Sequence, residues 1–167
     1  DESVKYTQKF AGEMTEALID ELSRRKYNIA IEGTLRTAEV PLKTCDLLKR
    51  KGYMVDLFVM AVKPEISYQS TVARYEDAIN SKKVARATPK EHHDGVVQAI
   101  PKNLSDIYKS KKFDNIFIYN RDKECLYDQR KMPDKDPGEK MKELFTHWNN
   151  KDKDELYEII NRNLRMK

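Results

Sequence analysis

The run of residues from Glu32 to Thr37 carries side chains of the kinds that bind sugars and phosphates. The guanidinium of Arg36 can hold a phosphate through two N–H groups, while the Thr34 hydroxyl and the Glu32 carboxylate can hydrogen-bond sugar hydroxyls or amides. Gly33 would let the backbone turn close to a ligand. The same run also fits an ordinary polar turn with an ion-paired arginine, and its spacing alone leaves both interpretations open.

Two further arginines, Arg74 and Arg86, flank a basic stretch around Lys82 and Lys83. A lid that clamps a phosphate would place its cations in this way, because positive charge stabilises the oxygens of a transferring phosphoryl group. Each arginine also fits a solvated or ion-paired surface position. Glu16 lies off the main apolar stripe of its predicted helix, so it faces either a cleft or solvent.

The elements that must position these side chains alternate between helices and strands. Helical apolar spacing is found over residues 10–26, and a short apolar run predicts a buried strand over 29–31. The nearly unbroken apolar run within 53–62 predicts a strand buried on both faces. A further strand is predicted over 113–119, with residues 124–127 as the second arm of a hairpin.

This order predicts an α/β fold, an open and largely parallel sheet with helices on both faces. Ligands bind such sheets beyond the carboxyl ends of the strands, and the run from Glu32 to Thr37 follows one predicted strand directly. This run is therefore the main site candidate.

Proline and glycine mark several predicted helix boundaries. Pro41 and Gly52 are placed to open and close the helix that follows the candidate run. Residues 88–91 resemble a capping box, and Pro101 is expected to kink or split the helix after it. Residues 133–138 form a linker before two closing helices, so the chain is predicted to comprise a core over 1–132 and a helical extension over 133–167.

Composition indicates a soluble globular protein, because 36% of the residues are charged and 39% are hydrophobic. The formal net charge is only +4, with acids and bases interspersed, which argues against a nucleic-acid partner. No apolar run has the length of a membrane span, and the first residues do not resemble a signal peptide. The expected location is the cytoplasm, without a membrane partner.

Cysteines and histidines give no sign of a metal site. Cys45 and Cys125 stand apart without CxxC spacing, and we expect both to be core thiols of a reducing compartment. His92 and His93 are expected on the surface or at a helix cap. Trp148 lies on a helical apolar stripe and is expected to pack in the core.

The candidate run belongs to a longer pattern that resembles the zeta toxin family. The family motif is matched by Ile31-Glu32-Gly33-Thr34-Leu35-Arg36-Thr37, followed by Val40-Pro41. Further matches in family order include Met14-Thr15-Glu16-Ala17, Arg74-Tyr75-Glu76 and Ala85-Arg86-Ala87-Thr88-Pro89-Lys90. The resemblance covers residues 5 to 130.

The resemblance implies a P-loop-kinase-like three-layer fold and a defined reaction. These kinases transfer the γ-phosphate of ATP or GTP, with Mg²⁺, to the 3'-hydroxyl of UDP-N-acetylglucosamine, and an epsilon-like antitoxin accompanies them. Carried over by position, five residues would hold the nucleotide-sugar: Glu16, Glu32, Thr34, Arg36 and Thr44. Arg74 and Arg86 would neutralise the charge of the transferring phosphate.

One departure from the family pattern concerns the phosphate loop, because no G-x-x-x-x-G-K-[ST] stretch occurs in the 167 residues. We therefore expect the phosphate-loop strand to be missing from this chain and the chain alone to be inactive. Two alternatives to a UDP-N-acetylglucosamine kinase remain open. In the first, the chain is a remnant without a phosphate loop that binds either a nucleotide-sugar or an antitoxin. In the second, it is part of a P-loop kinase for another small molecule.

Overall fold

The computed structural model describes residues 3–165, which form helices and strands in alternation. The helices are α1 (Ser3–Arg24), α2 (Glu39–Arg50), α3 (Pro64–Asn80), α4 (Lys90–Ser110), α5 (Pro137–Thr146) and α6 (Asn150–Arg165). The strands are β1 (Asp56–Met60), β2 (Asn115–Tyr119) and β3 (Cys125–Asp128). The predicted α/β class is confirmed. No helix in the described range is long and apolar enough to cross a membrane.

The three strands form one sheet in the order β1-β2-β3. β1 and β2 pair in parallel, with Asp56 opposite Asn115, whereas β2 and β3 pair as an antiparallel hairpin. Because side chains alternate between the two faces of a strand, one face carries the apolar side chains that form the core. This core contains Val59, Ile116, Ile118 and Tyr127 of the strands with Leu104, Ile107 and Met141 of α4 and α5.

The opposite face of β1 is open, so the expectation of a strand buried on both faces is wrong. Phe58 is 61% exposed and Met60 is 56% exposed. Phe58 stacks on Phe117 of β2 with ring centroids 5.0 Å apart, and the Arg130 guanidinium lies 4.9 Å from the Phe117 ring. The strand is buried on one face only, because α4 and α5 pack on the face that carries Val59.

The predicted strand over residues 29–31 is also wrong. This segment lies between α1 and α2 and belongs to no ladder of the described sheet, and Ile31 is 43% exposed. An apolar triplet forms a strand only where a neighbouring strand offers hydrogen-bond partners, and no strand in residues 3–165 pairs with this one.

Helix boundaries follow the proline and glycine signals only in part. Gly52 adopts a left-handed conformation with φ of 79° just after α2, as predicted. α4 is one continuous helix through Pro101, so of the two predicted outcomes the split is wrong and the kink stays a prediction. α4 begins after Pro89 without a side-chain cap, so the predicted capping box is wrong. Gly138 lets α5 approach α4 closely, since a Cβ there would lie 2.2 Å from the Pro101 carbonyl oxygen.

The cysteine and histidine expectations hold for one member of each pair. Cys45 is buried in α2, where desolvation raises the pKa of its thiol, whereas Cys125 is exposed and is not a core thiol. His92 is exposed, but His93 is buried, with Nε2 3.1 Å from the Ser67 hydroxyl oxygen. The surface expectation fails for His93 because α4 packs against α3 at this point.

The closing helices contact different parts of the chain: α5 packs on α4, and α6 packs on α3. Trp148, between them, is half-buried and lies 5.7 Å from the Lys63 ammonium. The domain boundary between residues 132 and 133 stays a prediction.

Asp114 joins the start of the sheet to α2. Its carboxylate accepts a hydrogen bond of 2.6 Å from the Val55 N–H and pairs with the Lys49 ammonium. The Lys49 ammonium, followed by the Val55 N–H, holds the pKa of Asp114 below its usual value. The ionised carboxylate is therefore the form that stabilises the fold.

We expect Asp114→Asn to lower the free energy of unfolding by about 1 kcal/mol near neutral pH. The folded pKa lies below the unfolded value of about 3.9, so this stabilisation is fully present above the unfolded pKa and is lost as the pH falls through the folded pKa. Urea unfolding of both proteins across this pH range measures the difference. Asp134→Asn, at an exposed loop residue, is the control, and a difference that persists in strong acid would contradict the prediction.

Candidate functional site

The candidate loop, residues 32–37, turns at Leu35. This residue has a φ of 54°, in the left-handed region that a leucine rarely adopts. Its side chain is half-buried and packs against the core cluster, while Thr34 and Arg36 on either side are exposed. An apolar residue between two polar ones thus anchors the loop by its centre and directs its neighbours toward solvent. The left-handed turn lies at Leu35 and not at Gly33, where an added Cβ would meet no described atom within 4 Å.

Asn103 of α4 holds the loop in this conformation. Its Nδ2 donates to the Leu35 carbonyl oxygen at 2.9 Å and to the Arg36 carbonyl oxygen at 2.8 Å. Asn103 is 8% exposed, so these bonds form in a largely dry environment. Sequence reasoning missed this residue, although a polar side chain within the apolar stripe of Ile100, Leu104 and Ile107 is a usable signal.

The side chains of Glu32, Thr34 and Arg36 are exposed, and they form no hydrogen bond or ion pair with the side chains that the structure describes, those of Thr7 and residues 9–165. The alternative of an ion-paired Arg36 is therefore not what the structure shows. A guanidinium without a carboxylate partner keeps its N–H groups available for an anionic ligand. The loop thus presents a donor-rich cation beside an acceptor carboxylate on a fixed backbone.

Glu16 and Thr44 lie on the two helices that flank the loop. The Glu16 carboxylate on α1 lies 3.4 Å from the ammonium of Lys43, the residue before Thr44 on α2. Both members of this ion pair are about 73% exposed, so the pair is weak and a ligand can replace it. The Thr44 hydroxyl donates to the Val40 carbonyl oxygen within α2, at 3.1 Å. The structure thus places Glu16 close to the helix that carries Thr44.

Lys51 sets the position of α1 relative to α2. Its ammonium lies 2.5 Å from the Asp20 carboxylate and 2.8 Å from the Ser23 hydroxyl oxygen. The hydrogen bond from Lys51 is the largest cause that lowers the pKa of Asp20. This contact, one helical turn from Glu16, links the two helices of the candidate site.

Arg74 lies on α3, and Arg86 lies in the connector between α3 and α4, residues 81–89. Both are exposed and form no ion pair in the described part of the chain. Other arginines in this part pair with carboxylates: Arg24, Arg25, Arg121, Arg130 and Arg162. Within the described residues, no hydrogen bond or ion pair joins the side chains of Arg74 or Arg86 to residues 32–37, so the structure shows no polar link between the two groups of predicted site residues.

Among the described residues, neither a metal-ligand cluster nor a groove beside α2 brings the predicted site residues together. Between residues 3 and 165, no three His, Cys, Asp or Glu side chains lie close enough together to hold a metal ion. A shallow groove beside α2 combines both signs of charge and contains none of the predicted site residues; it is lined by Glu39, Leu42, Lys43, Asp46, Arg50 and Lys112. The loop over residues 32–37 therefore remains the main candidate.

Comparison with known proteins gives a consistent family assignment. A sequence model of the family described as Zeta toxin matches residues 1–132. The chain is 46% identical over 156 residues to Toxin PezT of Streptococcus pneumoniae serotype 4, covering 93% of this chain and 62% of that protein. It is 43% identical over 143 residues to Toxin zeta of Streptococcus pyogenes, covering 84% and 50%.

A solved structure from a study of the PezAT chromosomal toxin-antitoxin system of Streptococcus pneumoniae has the same fold as this chain. The TM-score is 0.87 with 42% sequence identity, and the match covers 99% of this chain and 66% of that one. The chain spans between half and about three fifths of the length of the curated toxins named above.

Replacing Asn103 should release the candidate loop. We expect Asn103→Asp to destabilise the protein by about 1–3 kcal/mol, because two carbonyl oxygens lose their donor and a carboxylate takes its place. Amide exchange should accelerate in residues 33–38 more than in the sheet. Hydrogen exchange with mass spectrometry measures this, with Asn161→Asp on the exposed face of α6 as the control. Unchanged exchange in the loop would show that the amide does not hold it.

Proposed function

This chain belongs to the zeta toxin family, and we propose that it supplies the acceptor-binding and phosphate-neutralising side chains of a kinase. The proposed reaction moves the γ-phosphoryl group of ATP or GTP to the 3'-hydroxyl of UDP-N-acetylglucosamine. One observation carries the proposal: the family motif over residues 31–37 forms an anchored loop that exposes an unpaired Arg36.

On the acceptor side, each exposed group of the loop has a chemical counterpart in a nucleotide-sugar. The Arg36 guanidinium fits the diphosphate, which it can hold through two parallel N–H groups. The Glu32 carboxylate and the Thr34 hydroxyl can accept hydrogen bonds from sugar hydroxyls. Glu16 and Thr44, on the helices beside the loop, would complete the site once the ligand displaces Lys43 from Glu16.

In the phosphoryl-transfer step, the proposed role of this chain is to neutralise charge. Phosphoryl transfer requires alignment of donor and acceptor together with cations around the transferring oxygens. Arg74 and Arg86 carry guanidiniums without carboxylate partners among the described residues, so their charge is available for this purpose. Arg74 reaches the reacting groups from α3, and Arg86 reaches them from the connector over residues 81–89.

The nucleoside triphosphate is a substrate that provides the phosphoryl group, and its Mg²⁺ would neutralise the β- and γ-oxygens. The described residues do not fit the metal, because none of them form a cluster of three candidate ligands. The 167 residues also contain no phosphate-loop motif. The proposal therefore assigns the triphosphate and metal sites to sequence outside this chain and derives no step through the metal.

The kinase proposal is tested with the full-length protein. We expect it to consume ATP in the presence of UDP-N-acetylglucosamine, and we expect Arg36→Ala to raise the KM for this acceptor roughly tenfold or more, because a bidentate phosphate contact is lost. Arg50→Ala is the matched control, since Arg50 is also exposed and without a hydrogen-bond or ion-pair partner among the described side chains, but lies at the end of α2.

Two results would refute the assignment. An Arg36→Ala protein with unchanged KM would remove the loop from the acceptor site. A wild-type protein that consumes ATP only with a different acceptor would establish a kinase of another small molecule, which is the main alternative.

We also propose an antitoxin partner, because the similar solved structure comes from a toxin-antitoxin system. The partner would be encoded beside this protein and would suppress its kinase activity. Co-expression of the full-length protein with the neighbouring reading frame should yield a complex in gel filtration. Two separate elution peaks, with the kinase activity unaffected by the second protein, would reject this partner.

A further inference from the structure

α6 forms a set of polar contacts with α3, the helix that carries Arg74. Arg162 Nη2 donates to both carboxylate oxygens of Asp77, at 2.8 and 2.6 Å. Asn163 Nδ2 donates to the carbonyl oxygen and to the side-chain oxygen of Gln69, at 3.1 and 3.0 Å. We call these two interactions the α3–α6 clamp.

Asn163 is not what packing alone would select at this position. The residue is 5% exposed, and within the described part of the chain its Oδ1 is buried without a hydrogen-bond partner. A buried unsatisfied oxygen is costly, whereas an apolar side chain would fill the same space without that cost. The Asn163 amide instead selects one orientation of α3, because its N–H groups form hydrogen bonds only when Gln69 lies opposite. The clamp therefore fixes which part of α3 faces α6.

Arg74 lies between the two points of α3 that the clamp holds, Gln69 and Asp77. Ser67, which bonds His93 of α4, lies on the same side of α3 as Arg74 because the two are seven residues apart. α3 thus contacts α4 through Ser67, on the side of the helix that carries Arg74. It contacts α6 through Gln69 and Asp77. Three residues after Asp77 the helix ends, and the connector that carries Arg86 begins.

We infer that Arg162 and Asn163 are positioning residues for Arg74 in phosphoryl transfer. This inference rests on the proposed kinase function. Arg74 is exposed and has no partner of its own in the described residues, so the orientation of its helix is what determines where its guanidinium lies. Small displacements of a charge-neutralising group are expensive in phosphoryl transfer, since the transition state is stabilised by placement and charge. α6 lies beyond the residues that the family model matches.

The test compares Arg162→Ala and Asn163→Ala with Arg74→Ala in the full-length protein, with ATP and UDP-N-acetylglucosamine as substrates. We expect the clamp variants to lower kcat roughly three- to tenfold, with the acceptor KM changed less than about twofold, because acceptor-binding residues lie elsewhere. In the Arg74→Ala background, Arg162→Ala should have little further effect on kcat, since the group that it positions is gone.

Lys151→Ala is the matched control on the same helix. Lys151 also forms an exposed ion pair, but its partner is Asp122 in the turn between β2 and β3 and not a residue of α3. This variant should retain wild-type kinetics. The swapped pair, Asp77→Arg with Arg162→Asp, should recover part of the lost kcat.

A second measurement does not depend on activity. Hydrogen exchange in residues 74–89 should accelerate in Arg162→Ala and Asn163→Ala and stay unchanged in Lys151→Ala. An equal fall in kcat in Arg162→Ala, Asn163→Ala and the control Lys151→Ala would overturn the inference. A wild-type kcat in either Arg162→Ala or Asn163→Ala would also overturn it. If the wild-type protein does not phosphorylate the acceptor, the proposed function fails. The exchange result then decides on the clamp, and unchanged exchange overturns it.

Discussion

Two hydrogen bonds from the Asn103 amide determine the shape of the candidate site. They bind consecutive carbonyl oxygens, of Leu35 and Arg36, and so keep Leu35 in a left-handed conformation that costs on the order of 1–3 kcal/mol in a non-glycine residue. α4, which carries Asn103, contributes Leu104 and Ile107 to the core. The loop therefore shares the rigidity of the core, and its exposed side chains start from a backbone that needs no rearrangement to bind a ligand.

The pairing of the arginines, and not the amount of positive charge, distinguishes the candidate positions. The net charge is only +4, and arginines in structural roles are neutralised locally: Arg130 by Asp128 and Arg162 by Asp77. Arg36, Arg74 and Arg86 are not. Arg50 and Arg165 also have no ion-pair partner among the described side chains, so an unpaired guanidinium alone does not define a site. The family motif and the anchored loop together select Arg36.

Local signals in the sequence predicted most of the elements, with the strand over residues 29–31 as the exception, and predicted the burial of their side chains poorly. Apolar runs predicted β1 and β2, but whether Phe58 is covered depends on helices distant in sequence, and its face is open. His93 is buried because α3 passes beside it, which no local pattern near His93 reveals. The candidate residues were predictable from the family motif. The apolar stripe around Asn103 marks this residue as unusual, but its partners were not predictable, because they lie 67 and 68 residues earlier. The position of Arg74 relative to the candidate loop was likewise not predictable from the sequence.

The central claim is that residues 32–37 bind the nucleotide-sugar on a loop that Asn103 holds in place. Titration of isotope-labelled full-length protein with UDP-N-acetylglucosamine, followed by amide and side-chain chemical shifts, tests it most directly. The account predicts that the largest shifts occur at Gly33, Thr34 and Arg36 and that the Asn103 side-chain amide resonances persist in the bound state. Saturable shifts confined to other parts of the protein, or none at all, would contradict it.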